Sequence, residues 1–296
     1  MSISEYSSKL SLPQTNPGVA TVLEYLILKF PYVDAHLWQQ RVTDGKVHCH
    51  DGSLITTQSL FRPQQRIYYY REVESEVSIP FKETVVFQDQ HILVADKPHF
   101  LPVTPGGIYV NECLQTRLRH STGIEMLQAL HRLDRVTAGL VLFSVNPKTR
   151  HRYHKLFETR NIQKTYQAIA KVVGTESLVG REWEIKNRIV RSEPRFRMCV
   201  TEGKANSHSV IRCMRQFNQK GLFELNPVTG KTHQLRIHMQ TLGLPILNDN
   251  LYPQLLPPSV DDYSVPLQLL AKEIQFIDPV TQQPRFFRCE RNLSID

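Results

Sequence analysis

The sequence has few cysteines and no long apolar run. Its five cysteines are scattered along 296 residues and none stands in a C-x-x-C pair, which favours reduced thiols over a disulfide framework or a zinc site. No apolar stretch reaches the roughly 20 residues that span a bilayer. The N-terminus also lacks the charged-then-apolar pattern of a signal peptide. These absences argue against secreted and membrane-spanning classes and predict a cytoplasmic protein with no membrane partner.

Metal-ligand patterns are also scarce. The HRYH segment at 151–154 is flanked by Arg150, Arg152 and Lys155, which would repel a cation. The HCHD segment at 48–51 has no companion cluster of ligands elsewhere in the chain. The sequence therefore predicts no metal site.

A concentrated positive charge is what the sequence does contain. The formal net charge is +8, and residues 186–215 carry eight Lys or Arg residues against two Glu residues. A patch of this kind favours a nucleic-acid groove over charge that only serves solubility. A basic surface without a specific partner is the alternative.

The order of helical and strand patterns predicts two domains. Patterns of both kinds mix without a regular β-α-β period, which indicates an α+β fold with a mixed, mostly antiparallel sheet. Residues 1–18 are polar with two prolines and are predicted to form a flexible tail. Residues 19–73 predict a small α/β domain of two helices and a hairpin. Residues 74–82 are predicted to be a linker, and 83–296 a second, larger domain.

The segment HRLDRVTAGL, residues 131–140, places one carboxylate between two guanidinium groups. Arg132 and Arg135 favour the charged form of Asp134, so its chemistry suits a nucleophile or an electrostatic anchor better than a proton donor. The alternative is an ion pair that pins a loop to the strand that follows. This stretch alone leaves both interpretations open.

The segment TGKTHQLRIH, residues 229–238, predicts a turn that leads into a helix. Lys231, His233 and Arg236 converge near the start of that helix, where backbone N–H groups also attract anions. The pattern predicts contact with phosphate. A basic residue on a solvated helix face is the plainer alternative.

The segment QKTYQAIA, residues 163–170, has the alternation of a strand. Lys164 and Tyr166 fall on the same side of it. A tyrosine in this position can stack on a base while the lysine meets a phosphate. An ordinary half-buried strand tyrosine is the plainer interpretation.

Four motifs in this order resemble the RluA-type family of pseudouridine synthases, over about residues 83–290. HRLDRVTAG resembles the central motif of the family, and KTYQAIA resembles the strand that carries its active-site tyrosine. TGKTHQLRIHMQTLGLPILNDNLY resembles the basic motif with its tail, and VVFQDQHILVADKP resembles the opening strand pair. Residues 19–73 resemble the small RNA-binding domain of ribosomal-protein type. Ala138 and Lys231 depart from the more usual Ser and Arg.

The resemblance implies an isomerase that converts uridine to pseudouridine in ribosomal or transfer RNA and needs no cofactor. Asp134 would be the catalytic aspartate, Tyr166 would stack on the target uracil, and Arg236 would pair with Asp134. The predicted substrate-binding residues are His131, Arg132, Arg135, Thr137, Lys164, Lys231, His233 and Gln234.

The implied mechanism leaves the role of Asp134 open. The enzyme would flip a uridine out of its stack. Asp134 would then assist cleavage of the bond between base and ribose, by direct attack or by promoting proton loss at the 2′ carbon. A monomer acting on structured RNA is expected. A silent RNA-binding or assembly factor and a nucleoside glycosidase are the rival functions.

Overall fold

The structure is a computed structural model that describes residues 2–174, 176–257 and 260–293. The chain divides into two compact units. One unit contains the residues up to Val77 together with Gly106–Asn111, and the other contains Ser78–Pro105 and the residues from Glu112 onward. We call them the N-terminal unit and the catalytic unit.

The N-terminal unit is built from two short helices and two small sheets. Strands β2, β4 and β3 form an antiparallel sheet in that order, and β1 pairs with β5. Trp38 on one helix and Val47 and Ile67 on the sheet form its buried core. The elements are β1 (Ser2–Ile3), β2 (Ser8–Ser11), α1 (Val22–Lys29), α2 (Ala35–Thr43), β3 (Val47–Cys49), β4 (Arg66–Tyr69) and β5 (Glu72–Val73).

Side-chain caps fix where the two helices of this unit begin. The Thr21 hydroxyl accepts the backbone N–H of Glu24, and the Glu24 carboxylate accepts that of Ala20. The Asp34 carboxylate accepts the N–H of His36 at the start of α2. The helices therefore start where polar side chains satisfy backbone groups that the helix leaves open.

The predicted flexible tail at residues 1–18 is wrong. Residues 8–11 form β2, which pairs with β4 from Ser8–Tyr69 to Ser11–Arg66. Leu12, which follows β2, is 2% exposed in the core. The prolines and serines of this stretch obscured the alternation that buries Leu12 and packs the partly buried Leu10 against the core.

The predicted linker at 74–82 contains the boundary between the units, after Val77. Part of this linker has a structural role, because the Glu76 carboxylate accepts the backbone N–H of Asn111 at 2.8 Å. Residues 106–111, which the sequence placed in the second domain, thereby belong to the N-terminal unit.

In its described residues, the catalytic unit consists of one 11-stranded sheet and three helices. Its elements are β6 (Thr84–Gln88), β7 (Ile92–Lys97), α3 (Leu114–Thr122), β8 (Gln128–Ala129), β9 (Ala138–Ser144), α4 (Arg150–Glu158), β10 (Ile162–Lys171), β11 (Glu182–Arg191), β12 (Met198–Thr201), β13 (Ser207–Phe217), β14 (Lys220–Pro227), α5 (Gln234–Thr241), β15 (Leu269–Ile277) and β16 (Pro284–Arg288).

The strand order of this sheet is β12-β11-β13-β14-β10-β15-β9-β7-β6, with β16 paired to β15 and β8 to β9. In the part of the chain that the structure describes, β9 and β15 form its single parallel pair. The architecture confirms the predicted α+β class with a mixed, mostly antiparallel sheet.

Helices α4 and α5 cover opposite faces of this sheet. Leu156 of α4 packs in a cluster with Leu270, whereas Leu235 of α5 packs in a cluster with Leu269. Consecutive residues of a strand point to opposite faces. The two helices therefore enclose the middle of the sheet from both sides.

Candidate active site

Asp134 lies in the loop that leads into β9. The backbone N–H of Thr137 donates to the Asp134 carbonyl at 3.0 Å, which closes a turn immediately before the strand. Gly139 follows with a φ of +112°, and a Cβ there would overlap the backbone of Ala271 on β15. Glycine is therefore required where β9 and β15 approach each other behind the Asp134 loop.

Lys97, the last residue of β7, binds backbone carbonyl groups in and around this loop. It is fully buried, and its ammonium group donates to the carbonyls of Pro98, Leu101 and Arg135 at 2.8, 2.7 and 3.0 Å. Burial lowers the pKa of Lys97 well below its ordinary value, and the nearby Asp134 opposes that shift. Lys97 lies inside the ADKP segment of the opening strand pair, but no local pattern indicated this role.

Arg236 on α5 brings a guanidinium group to Asp134. One of its Nη atoms lies 3.4 Å from the Asp134 carboxylate, so the pair predicted from the sequence is brought together. Asp249 holds the same guanidinium with two shorter contacts of 2.8 and 2.5 Å. Burial alone would lower the pKa of Arg236, but Asp249 and Asp134 raise it, so the group stays charged.

His233 lies directly before α5 in the left-handed backbone region, with a φ of 56°. Its Nε2 is 3.7 Å from the Asp134 carboxylate, and its Nδ1 is 2.9 Å from the Tyr252 hydroxyl. Burial lowers the pKa of His233, and Asp134 opposes the shift. The imidazole is therefore neutral at pH 7.

Tyr166 on β10 is half-buried and packs against the α5 cluster. It pairs with Leu225 of β14 and with Ala271 of β15. Burial raises the pKa of its phenol, and the charge of Asp134 raises it further. The Tyr166 phenol is therefore neutral, and it lies close enough to Asp134 for the carboxylate charge to affect its pKa.

His131 and Lys164 lie around one aromatic ring of α4. The His131 ring stacks on Phe157 with 5.0 Å between centroids, and the Lys164 ammonium is 6.0 Å from the same centroid. The Nε2 of His131 accepts the backbone N–H of Leu142 at 3.0 Å, which leaves Nδ1 as the protonated nitrogen. Burial, together with Lys164, lowers the pKa of His131 to about 3.

Gln234 and Thr137 are enclosed by the fold. The Gln234 side chain donates to the His208 carbonyl and to the Ser209 hydroxyl, and it accepts from Thr229 and from the backbone of Lys231. Gln234 is 3% exposed and Thr137 is 2% exposed. The structure thus gives both residues contacts within the fold and no open surface for a substrate.

The two arginines that flank Asp134 have different surroundings. Arg135 forms a two-pronged ion pair with Asp261 at 2.6 and 2.8 Å. Arg132 is exposed, as is Lys231 before α5. The guanidinium that contacts Asp134 therefore comes from Arg236 on a distant helix, while Arg135 anchors another loop.

Asp249 and Tyr252 lie in the NDNLY tail of the basic motif, and no role for either was predicted from the sequence. Asp249 is 1% exposed at its side chain and bonds Arg236. Tyr252 is 3% exposed and contacts His233. A carboxylate and an aromatic ring in a polar tail gave no local signal, because their partners are on another element.

Comparisons with known proteins agree with this geometry. A family model described as RNA pseudouridylate synthase matches residues 91–241, about half of the chain. The chain is 30% identical over 210 residues to the dual-specificity RNA pseudouridine synthase RluA of Yersinia pestis, covering 70% of this chain and 98% of that protein. It is 32% identical over 204 residues to the Pasteurella multocida protein of the same name, covering 67% and 89%.

A longer relative and two solved structures extend the comparison. The mitochondrial tRNA pseudouridine(32) synthase of Saccharomyces cerevisiae is 29% identical over 251 residues, which are 78% of this chain but 50% of that protein. The human RNA pseudouridylate synthase domain containing 1 protein aligns with a TM-score of 0.57 at 21% identity, covering 73% of this chain and 86% of that one. The human domain containing 4 protein aligns with a TM-score of 0.54 at 24% identity, covering 70% and 87%.

The two solved structures show a shared fold, and the family model and the bacterial relatives show descent. The chain belongs to the RluA-type family of RNA pseudouridine synthases, isomerases that convert uridine to pseudouridine in RNA.

Proposed function

We propose that this chain modifies ribosomal or transfer RNA with Asp134 as its catalytic carboxylate. The observation that carries the proposal is the environment of Asp134, whose side chain is 28% exposed and faces the Arg236 guanidinium and the His233 ring. A carboxylate that is partly open and held by buried neighbours can meet a flipped nucleotide in a defined orientation.

The isomerisation leaves the elemental composition of the uridine unchanged. The bond between N1 and C1′ breaks, the uracil turns, and a new bond forms between C5 and C1′. The proton on C5 leaves, and N1 gains a proton. Asp134 acts on the sugar side of this exchange, by attack at C1′ or by removal of a proton at the 2′ carbon. One carboxylate is sufficient because the base never leaves the pocket.

The uracil stacks on the aromatic ring of Tyr166. A neutral phenol has an apolar face for the ring and a hydroxyl that can take part in proton removal from C5. Lys164, Arg132 and Lys231 meet the phosphates around the flipped nucleotide. His131 and Gln234 contribute indirectly, since their polar atoms hold the loops that carry these side chains.

We assign the main phosphate-contacting surface outside the pocket to α4 and its flanks. Lys148, Arg152, Lys155 and Arg160 are all exposed there, and Glu158 is the single acidic residue of the helix. Within the described residues, these four cations have no carboxylate partner. Phe157 on the same helix stacks on His131, so this surface continues into the Asp134 loop.

The basic run at 186–215 is less positive in three dimensions than in sequence. Lys186 pairs with Glu184 at 2.6 Å, and Arg212 lies opposite Glu182 and Glu224 on the neighbouring strands. These carboxylates lie outside the run and offset part of its charge. This segment therefore supplies a weaker attraction for RNA than its composition predicts.

The names of the relatives support transfer RNA as one candidate substrate, since the yeast protein is a tRNA pseudouridine(32) synthase.

Product analysis tests the proposal. Unmodified ribosomal and transfer RNA transcripts are incubated with the chain, digested to nucleosides and analysed by mass spectrometry. Pseudouridine in either RNA is the expected product. Free uracil would instead identify a glycosidase, and RNA binding without a product would identify an assembly factor.

We also propose that the chain acts as a monomer in the cytoplasm. Light scattering of the purified chain, alone and with RNA, tests the first statement. Imaging of a tagged chain tests the second, and a mitochondrial signal would contradict it. Among the described residues, no helix has the length and apolar character needed to cross a membrane.

A further inference from the structure

The Tyr252 hydroxyl contacts both Met198, the first residue of β12, and His233, the residue directly before α5. Its oxygen accepts the backbone N–H of Met198 at 2.9 Å and lies 2.9 Å from the Nδ1 of His233. The guanidinium groups of Arg197 and Arg236 lie at 5.2 and 5.3 Å from the centroid of the tyrosine ring. The ring is therefore fixed by contacts that do not involve its hydroxyl.

The proton positions follow from the donors around this hydroxyl. The hydroxyl proton has two acceptors within reach, the Nδ1 of His233 at 2.9 Å and the Met198 carbonyl at 3.3 Å, and the shorter contact assigns it to His233. Burial raises the pKa of Tyr252 and lowers that of His233, so both groups are neutral at pH 7. A neutral imidazole that accepts at Nδ1 carries its proton on Nε2. That nitrogen is the one that faces Asp134.

We propose that Tyr252 and His233 are positioning residues that orient Asp134. The Tyr252 hydroxyl selects the Nε2–H tautomer of His233, and this N–H donates to the carboxylate as a second restraint beside Arg236. The distance of 3.7 Å is longer than a hydrogen bond, and the inference requires this contact to shorten when a nucleotide fills the pocket. The inference rests on the proposed role of Asp134.

Loss of the hydroxyl alone leaves the local structure intact. The Asp249 carboxylate accepts the backbone N–H groups of Leu251 and Tyr252 at 2.8 and 3.1 Å, so this turn is anchored independently of the hydroxyl. Tyr252→Phe keeps the ring and both guanidinium contacts. It removes the hydroxyl, and with it the bond to the backbone N–H of Met198 as well as the group that selects the tautomer of His233.

The test compares Tyr252→Phe with Tyr153→Phe. Tyr153 is a matched control because it is also buried and its hydroxyl bonds a carboxylate, Asp278 at 3.0 Å, on the α4 side of the sheet. We expect kcat at saturating RNA to fall about tenfold in Tyr252→Phe, with KM nearly unchanged, because the restraint acts on the reacting geometry. Tyr153→Phe should lower the melting temperature while kcat stays at the wild-type value.

Two further readouts separate positioning from a merely structural role. Burial and Arg236 lower the pKa of His233, whereas Asp134 and Asp249 raise it. Protonated His233 carries a proton on Nε2 in either variant, so the kcat deficit of Tyr252→Phe should shrink as the pH is lowered. In a His233→Gln background, where no tautomer remains to be selected, Tyr252→Phe should have little additional effect on kcat.

Each outcome has one meaning. An unchanged kcat in Tyr252→Phe, an equal kcat loss in Tyr153→Phe, or additive effects in the double variant would overturn the inference. A wild-type chain that makes no pseudouridine, or an active Asp134→Asn variant, would overturn the proposed function itself.

Discussion

Asp134 and Arg236 are 102 positions apart in the sequence, and the contact between them depends on a third residue. Asp249 takes two of the donors of the Arg236 guanidinium and leaves one Nη atom for Asp134. The planar Arg236 guanidinium therefore binds both carboxylates at once and holds them in a fixed relative orientation. The orientation of Asp134, the proposed catalytic group, therefore depends on Asp249, which binds the same guanidinium.

Asp249→Ala should destabilise the catalytic unit by about 3 kcal/mol, because it leaves a buried guanidinium with one weaker partner. Glu184→Gln is the matched control, since its ion pair with Lys186 is more than half exposed at both side chains. That change should leave the free energy of unfolding nearly unchanged. Urea unfolding of both variants measures the difference. Equal losses in the free energy of unfolding would contradict a stabilising contact between Asp249 and Arg236.

At the scale of elements, the site is assembled where the loop before β9 meets the start of α5. Gly139 allows β9 to lie against β15 directly behind the Asp134 loop. Lys97 at the end of β7 fixes the backbone of the same loop through three carbonyl groups. Both residues are buried, and each helps to set the position of the Asp134 carboxylate.

Gly139→Ala should destabilise the catalytic unit by about 3 kcal/mol or more, because the new methyl group overlaps the backbone of Ala271. Gly123→Ala offers a control with a positive φ of 70° and open space around the added atom. It should cost only about 1 kcal/mol of backbone strain. Thermal unfolding compares the two, and similar melting temperatures would argue against a close approach at Gly139.

The exposed cations of α4 make a prediction at the same scale. The triple variant Arg152→Gln, Lys155→Gln and Arg160→Gln should raise KM for RNA, because fewer phosphates are neutralised on binding. The slope of log K against log salt should become shallower by up to about 0.7 for each phosphate that the variant no longer neutralises. The kcat at saturating RNA should stay unchanged.

The control for α4 is Lys186→Gln combined with Arg212→Gln, which removes cations that already have acidic neighbours. This double variant should change the salt slope less for each charge removed. A larger effect in the control than in the α4 variant would move the RNA-binding surface to β11 and β13.

For the whole molecule, the sequence predicted the fold class and the identity of three central residues because they lie in contiguous motifs. The resemblance of four motifs implied roles for Asp134, Tyr166 and Arg236, and these roles stay predictions. The structure places Arg236 in contact with Asp134 and Tyr166 within reach of its charge. The supporting residues were not predictable, because Lys97, Asp249 and Tyr252 act through contacts between distant elements. The strand at residues 8–11 was missed since its pattern is short and bounded by polar residues.

The extent of the two units was also only partly predictable from local sequence patterns. The position of the boundary followed from local composition at 74–82. The membership of Gly106–Asn111 in the N-terminal unit depends on contacts such as that between Glu76 and Asn111, which no local pattern encodes. Whether this unit binds RNA stays a prediction from its resemblance to a ribosomal-protein domain.

The release of tritium from RNA labelled at uracil C5 tests the central claim most directly. Transfer and ribosomal RNA transcripts carrying the label are incubated with the wild-type chain and with Asp134→Asn, which keeps the shape of the side chain and removes its charge. We expect release by the wild type and a fall of at least about a thousandfold in the variant. Comparable release by both proteins would contradict a catalytic role for Asp134. No release by a folded wild-type chain that still binds these RNAs would contradict their assignment as substrates.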